Sequence, residues 1–123
     1  MPSAGLLVIG NEILSGKIAD TNSYFLAREL REVGVDLERI LTIPDVVDVI
    51  ARDVRCFHEA FDHVFTSGGI GPTHDDVTME GVARAFGRQI VQNEQLSARM
   101  PKALCGRPVN APMRKMVKLP EGA

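Results

Sequence analysis

The sequence predicts an α/β domain of three layers, α/β/α, with helices on both faces of a largely parallel sheet. Three observations predict it. Leu6-Leu7-Val8-Ile9 is a continuous apolar run ended by Gly10, as in a central strand covered on both faces. Short strand-like runs then alternate with apolar residues at helical spacing along most of the chain. Finally, Thr66 to Thr78 sets glycines between such a run and a helix, the turn at which open α/β sheets bind ligands. The 123 residues, 45% hydrophobic and 24% charged, suit a single compact domain over residues 1–123.

The elements follow in order. After the first strand, Gly10 to Lys17 reads as a glycine-bounded loop at the carboxyl edge of the sheet, with Glu12 and Lys17 either site residues or ordinary exposed charges. Asp20-Thr21-Asn22 offers N-cap chemistry to a helix with Leu26, Leu30 and Val33 inward, ended by Gly34. Val35 to Ile43 reads as a strand stopped by Pro44. Asp45 then opens a helix carrying Val46, Ile50, Val54, Phe57 and Phe61 at three- to four-residue spacing. As an N-cap, Asp45 needs no other role, but its strand-to-helix position also puts it at the ligand edge. His58 and His63 have no metal-type partner spacing and read as structural. Asp62 to Thr66 is the third strand, and Thr78 to Phe86 the next helix, with Val82 and Phe86 inward and Gly87 closing it. Gln89 to Gln92 reads as a brief edge strand. Asn93 caps a short helix that Pro101 ends, and Ala103 to Ala123 reads as loop with one short strand in Met116 to Leu119.

The chemistry concentrates in Ser67-Gly68-Gly69-Ile70-Gly71-Pro72-Thr73-His74-Asp75-Asp76-Val77-Thr78. Three glycines in four positions let a ligand approach the amides without meeting a Cβ, and the following helix adds unpaired N–H groups. The loop suits phosphate. Asp75 and Asp76 would repel a bare phosphate, so their presence points to a bridging divalent cation on hard oxygen ligands. The bland alternative is a structural turn in which Asp76 or Thr78 only caps the helix. Neither the Walker spacing nor Gly-x-Gly-x-x-Gly is present.

Composition narrows the class further. Cys56 and Cys105 lack Cys-x-x-Cys or Cys/His spacing, which argues against a zinc site or a disulfide framework and for a reducing compartment. The net charge is −2, yet residues 95–120 carry Arg99, Lys102, Arg107, Arg114, Lys115 and Lys118 and no acid. That basic segment either approaches an anionic ligand or an acidic neighbour, or is a solvated surface. No nucleic-acid motif accompanies it. The N-terminus has no basic n-region, and Leu6 to Ile9 is too short for a signal or a membrane span, so a cytoplasmic protein without membrane or nucleic-acid partners is expected.

With Gly10-Asn11-Glu12-Ile13-Leu14-Ser15-Gly16, Asp20-Thr21-Asn22, Ile43-Pro44-Asp45 and Gly68 to Thr78 in view, residues 5 to about 95 resemble the molybdopterin-binding domain family of MoaB, Mog and gephyrin. The doubled aspartate of Thr73 to Thr78 resembles the branch of the competence/damage-inducible protein CinA and the N-terminal domain of FAD synthase. The resemblance implies catalytic roles for Asp45 and Asp76, and a divalent metal (Mg, Mn or Co) on Asp45, Asp75 and Asp76. Ligand or phosphate contacts are implied for Gly10, Asn11, Glu12, Ser67, Gly68, Gly69, Gly71, Thr73 and Thr78. It further implies a small-molecule nucleotide or molybdopterin-like ligand, metal-dependent hydrolysis of a nucleotide pyrophosphate bond of the FAD or ADP-ribose type, and a homo-oligomer. Alternatives are a molybdenum cofactor biosynthesis protein that binds or adenylylates molybdopterin, and a non-catalytic binding or assembly module. Family members continue past Lys118 to Ala123 into a further strand and a Pro-Gly-rich loop, so the domain is expected to be truncated at its C-terminal end.

Overall fold

A computed structural model describes residues 1–103 and 111–123. Cys105 and Arg107, singled out above, lie outside the described residues. The elements are β1 (Ser3–Ile9), α1 (Asn11–Leu14), α2 (Asn22–Glu32), β2 (Asp36–Ile43), α3 (Val47–Ala60), β3 (His63–Ser67), α4 (Thr78–Ala85), β4 (Ile90–Gln92), α5 (Glu94–Ala103), α6 (Ala111–Lys115) and β5 (Lys118–Pro120).

Strand β1 is central, as its unbroken apolar run predicts. The parallel sheet has the order β2-β1-β3, with Leu6 beside Ile40 on one side and Phe65 on the other. Successive side chains of a strand point to opposite faces, and both sets are buried here: Leu7 and Ile9, and likewise Leu6 and Val8. Leu7 and Ile9 join Ile43 and the buried face of α3, Ile50, Val54 and Phe57, in the main core, which Ala85 of α4 completes. Helices α3 and α4 meet closely because Gly81 has no side chain: a Cβ there would stand 2.3 Å from Ile50 Cγ2. All three parallel strands send their carboxyl ends toward the same edge, where the loops Gly10 to Lys17, Pro44 to Val46 and Gly68 to Val77 emerge.

Several expectations need correction. The segment Gly10 to Lys17 is not all loop, since Asn11–Leu14 makes one helical turn. Asp45 does not cap α3, whose N-cap is Val46 with no side-chain hydrogen bond. Neither Asp76 nor Thr78 caps α4, where Val77 holds that position. Phe86 does not pack inward but is 45% exposed, and Val33 and Val46 are exposed too. Phe86 instead stacks edge-on against His58, ring centroids 5.0 Å apart. The helix begun after Asn93, whose Oδ1 accepts the Leu96 N–H at 3.0 Å, runs through Pro101 to Ala103. A proline so near a helix end removes one hydrogen bond without breaking the whole ladder. Ala111–Lys115 forms a helix where loop was expected, too short to show apolar periodicity. The brief strand β4 pairs antiparallel with β5 in a small second sheet rather than along the edge of the first.

Cys56 is a free, exposed thiol. Among the described residues no helix is long and apolar enough to cross a membrane.

Candidate functional site

The glycine loop begins where β3 ends, and its shape is dictated by what surrounds it. Gly68 has φ 93° and Gly69 φ 70°, the left-handed region that favours glycine. Side chains would also collide: a Cβ on Gly68 would lie 2.1 Å from the Ile9 carbonyl oxygen, and one on Gly69 2.0 Å from Thr78 Oγ1. The loop is thus pressed onto the end of β1 and the start of α4. Thr78 is fully buried, donates its hydroxyl to the Gly68 carbonyl at 2.9 Å and its N–H to the Gly69 carbonyl at 3.1 Å. Through these two bonds Thr78 holds the glycines in place.

Asp76 is drawn inward by the same loop. Its Oδ2 accepts the Thr73 hydroxyl at 2.7 Å and the Thr73 N–H at 3.1 Å. These bonds lower its pKa below the ordinary carboxylate value, the Thr73 hydroxyl first; partial burial opposes them, and the amides of Thr73 and Gly71 and the charge of Lys115 assist. Lys115, at the end of α6, donates its ammonium to the carbonyls of both Thr73 and Asp76. The loop is therefore closed from inside by a carboxylate and from outside by a cation. Only the basic composition of residues 95–120 hinted at Lys115; no local pattern connects it to a loop some forty positions earlier.

Asp45 is held differently. Asn11 N–H donates to Asp45 Oδ2 at 3.0 Å, and Asp45 N–H donates to Asn11 Oδ1 at 3.2 Å. This two-way clasp ties the turn after β2 to the turn after β1, and explains why Asp45 caps no helix. The carboxylates of Asp45 and Asp75 line one cleft of about 380 Å³ with Asn11, Glu12, Ser15 and Lys17. Asp75 also meets His74 Nε2 at 3.3 Å, both side chains being open to solvent. Glu12 borders a second, smaller cleft of about 180 Å³, formed with Asp20, Thr21, Asn22, Ser67 and Gly68 among others. There Asn22 Nδ2 donates to Ser67 Oγ at 2.9 Å, joining the second motif to the glycine loop. Gly10 donates its N–H to the Ile43 carbonyl at 3.0 Å and carries the Glu12 carboxylate folded over it.

The structure thus gathers Asn11, Glu12, Asp45 and Asp75 along one cleft, and Gly69, Gly71 and Asp76 along a third. Asp45 and Asp75 line one cleft and Asp76 another, with Asp76 Oδ2 taken up by Thr73. Among the described residues no three His, Cys, Asp or Glu side chains converge as metal ligands. That donor set does not fit an all-protein cage. It fits an ion of the magnesium type, which uses one or two carboxylates and keeps the rest of its shell for water and substrate phosphates.

Comparison with known proteins places this arrangement. Residues 5–118 match the model of the probable molybdopterin binding domain. An Archaeoglobus fulgidus protein is 41% identical over 118 residues, covering 96% of this chain and 50% of its own length. A probable FAD synthase of Caenorhabditis elegans is 46% identical over 94 residues, 76% of this chain and 18% of that protein. The crystal structure of CinA from Thermoplasma acidophilum, a protein of unknown function, superposes with a TM-score of 0.89 at 33% identity, over 98% of this chain and 71% of that one. The chain spans about half the length, or less, of these two sequence relatives. With the family model matched over most of its length and its glycine loop, Asp45 clasp and parallel sheet in place, the chain belongs to the molybdopterin-binding domain family, and to its CinA type.

Proposed function

We propose that this domain binds a small nucleotide or pterin through its phosphate and hydrolyses a nucleotide pyrophosphate bond, of the FAD or ADP-ribose kind, with a divalent metal. The observation that carries the reading is the pairing of Asp45 and Asp75 in one cleft beside a glycine loop that admits no Cβ. The loop amides of Gly68 to Gly71 would receive phosphate oxygens. Asp45, whose Oδ2 is fixed by Asn11, and Asp75 would hold the ion. Such an ion supplies charge neutralisation at phosphoryl oxygens. Glu12 and Lys17 stand in the same cleft to orient a water or a phosphate oxygen. Asp76 acts on the loop's shape rather than on the ion. The chain's exposed Tyr24 and Phe25 on α2, with Leu14 and Ile18 before it, are in keeping with a homo-oligomer.

The test is cleavage of FAD and of ADP-ribose with magnesium, manganese or cobalt, against chelator, for wild type and Asp45→Asn. Metal-dependent cleavage reduced about 100-fold or more in the variant supports the reading; equal cleavage with chelator, or in Asp45→Asn, sinks it. A second reading, a binding module without turnover, is favoured by the division of the three aspartates between two clefts. It predicts ligand binding that chelator leaves unchanged.

A further inference from the structure

The ammonium of Lys115 is spent on backbone rather than on a carboxylate. It comes close to Asp76, whose Oδ2 is already taken by the Thr73 hydroxyl and amide. It therefore donates to the main-chain carbonyls of Thr73 and Asp76, and among the described residues it makes no ion pair. Hydrogen bonds from a charged donor are roughly twice as strong as neutral ones. Lys115 is half-buried, and its stem starts from a fixed point. Two residues on, Val117 is buried and its carbonyl accepts the Asn93 N–H at 2.7 Å.

The two carbonyls bracket a turn that is weakly closed by itself. Asp76 N–H reaches the Thr73 carbonyl at 3.2 Å, the long end of the hydrogen-bond range. The ammonium bridges both ends of that turn. The peptides that follow Thr73 and Asp76 are trans and planar, so fixing each carbonyl toward Lys115 directs the N–H groups of His74 and Val77 the opposite way. Holding the Asp76 backbone also holds its carboxylate over Gly71, where a Cβ would lie 2.8 Å from Asp76 Oδ2. Lys115 thereby governs the second half of the glycine loop without belonging to it.

We infer that Lys115 is a positioning residue for the phosphate site: its ammonium acts through the Thr73 and Asp76 carbonyls to keep the loop amides in the orientation that receives phosphate, and does not itself meet the phosphate. The inference rests on the phosphate reading proposed above. It makes the affinity of the loop depend on α6, a helix that reaches it from 39 and 42 positions further along the chain.

The test combines amide NMR spectra of the ligand-free protein with calorimetric titration of ribose 5-phosphate at low and high salt, for wild type, Lys115→Met and Lys115→Arg. Lys115→Met keeps the apolar stem and removes the donor. It is expected to move the amide signals of Gly71, His74 and Val77 before any ligand is added. Its affinity for ribose 5-phosphate should fall roughly tenfold or more, the scale on which outer partners of metal ligands act, and by the same factor at both salt concentrations. Lys115→Arg, which keeps a cationic donor, should restore part of both. Lys115→Gln, a neutral donor of shorter reach, takes the place of the methionine variant if that one does not fold, with a smaller loss in the same direction. Unmoved amide signals overturn the inference. With a loss of affinity that shrinks as salt rises, they make Lys115 a phosphate contact; with a lowered melting temperature alone, they make it a structural tie. Ribose 5-phosphate bound alike by wild type and Lys115→Met also overturns the inference and leaves the phosphate reading standing. No binding by the wild type overturns the phosphate reading, and the inference with it.

Discussion

At the scale of single residues, Asp76 shows how a carboxylate in a ligand loop can be structural. Two bonds from Thr73 lower its pKa, so its contribution to stability is present above the unfolded carboxylate value, ~3.9, and is lost as pH falls through the lower folded value. Asp62, lowered by the Ser3 amide and hydroxyl, acts with the same sign. Asp76→Asn should therefore unfold about 1–2 kcal/mol more easily at neutral pH, and this deficit should shrink below pH ~4, read from urea midpoints across pH. A deficit that does not change with pH would show that the charge is unimportant. Gly69 supplies a sharper case. Its φ of 70° and the Thr78 hydroxyl above it leave no room for a methyl, so Gly69→Ala should cost more than about 1 kcal/mol and abolish phosphate binding. Retained binding of ribose 5-phosphate would show that the loop can shift.

At the scale of elements, the turns after β1 and β2 are coupled by the Asn11–Asp45 clasp, and the turn after β3 is held by Thr78 and Lys115. A double-mutant cycle of Asn11→Ala and Asp45→Ala should return a coupling of about 0.5–3 kcal/mol, whereas independent turns would give additive losses. Helices α3 and α4 meet through Gly81 against Ile50. Gly81→Val should overpack that contact and destabilise by about 1–3 kcal/mol, and Ile50→Ala, which removes the Cγ2 nearest to it, should cost less in that background than alone. An unrelieved loss would place the strain elsewhere.

At the scale of the whole molecule, the exposed Tyr24 and Phe25 bear on assembly. Light scattering after size-exclusion chromatography is expected to give a multiple of 13.4 kDa, and Phe25→Glu to shift it toward the monomer; a monomer in both would remove the homo-oligomer proposal. What the sequence determined by itself was whatever local chemistry dictates. The unbroken Leu6 to Ile9 run suits a strand covered on both faces, the Ile50, Val54, Phe57 spacing a helix with one buried stripe, and Gly68-Gly69 a turn free to take positive φ, and the structure has all three. The family followed from the motifs those elements display. Tertiary structure alone decided how the aspartates are divided, because Asp45 is turned by Asn11 and Asp76 by Thr73 and Lys115, partners that spacing along the chain does not reveal. It alone showed that Thr78 is buried and that β4 pairs with β5. Hydrogen bonds across 34 or 39 positions depend on where folding brings distant loops together, and that placement is a property of the packed sheet and helices rather than of any stretch of sequence.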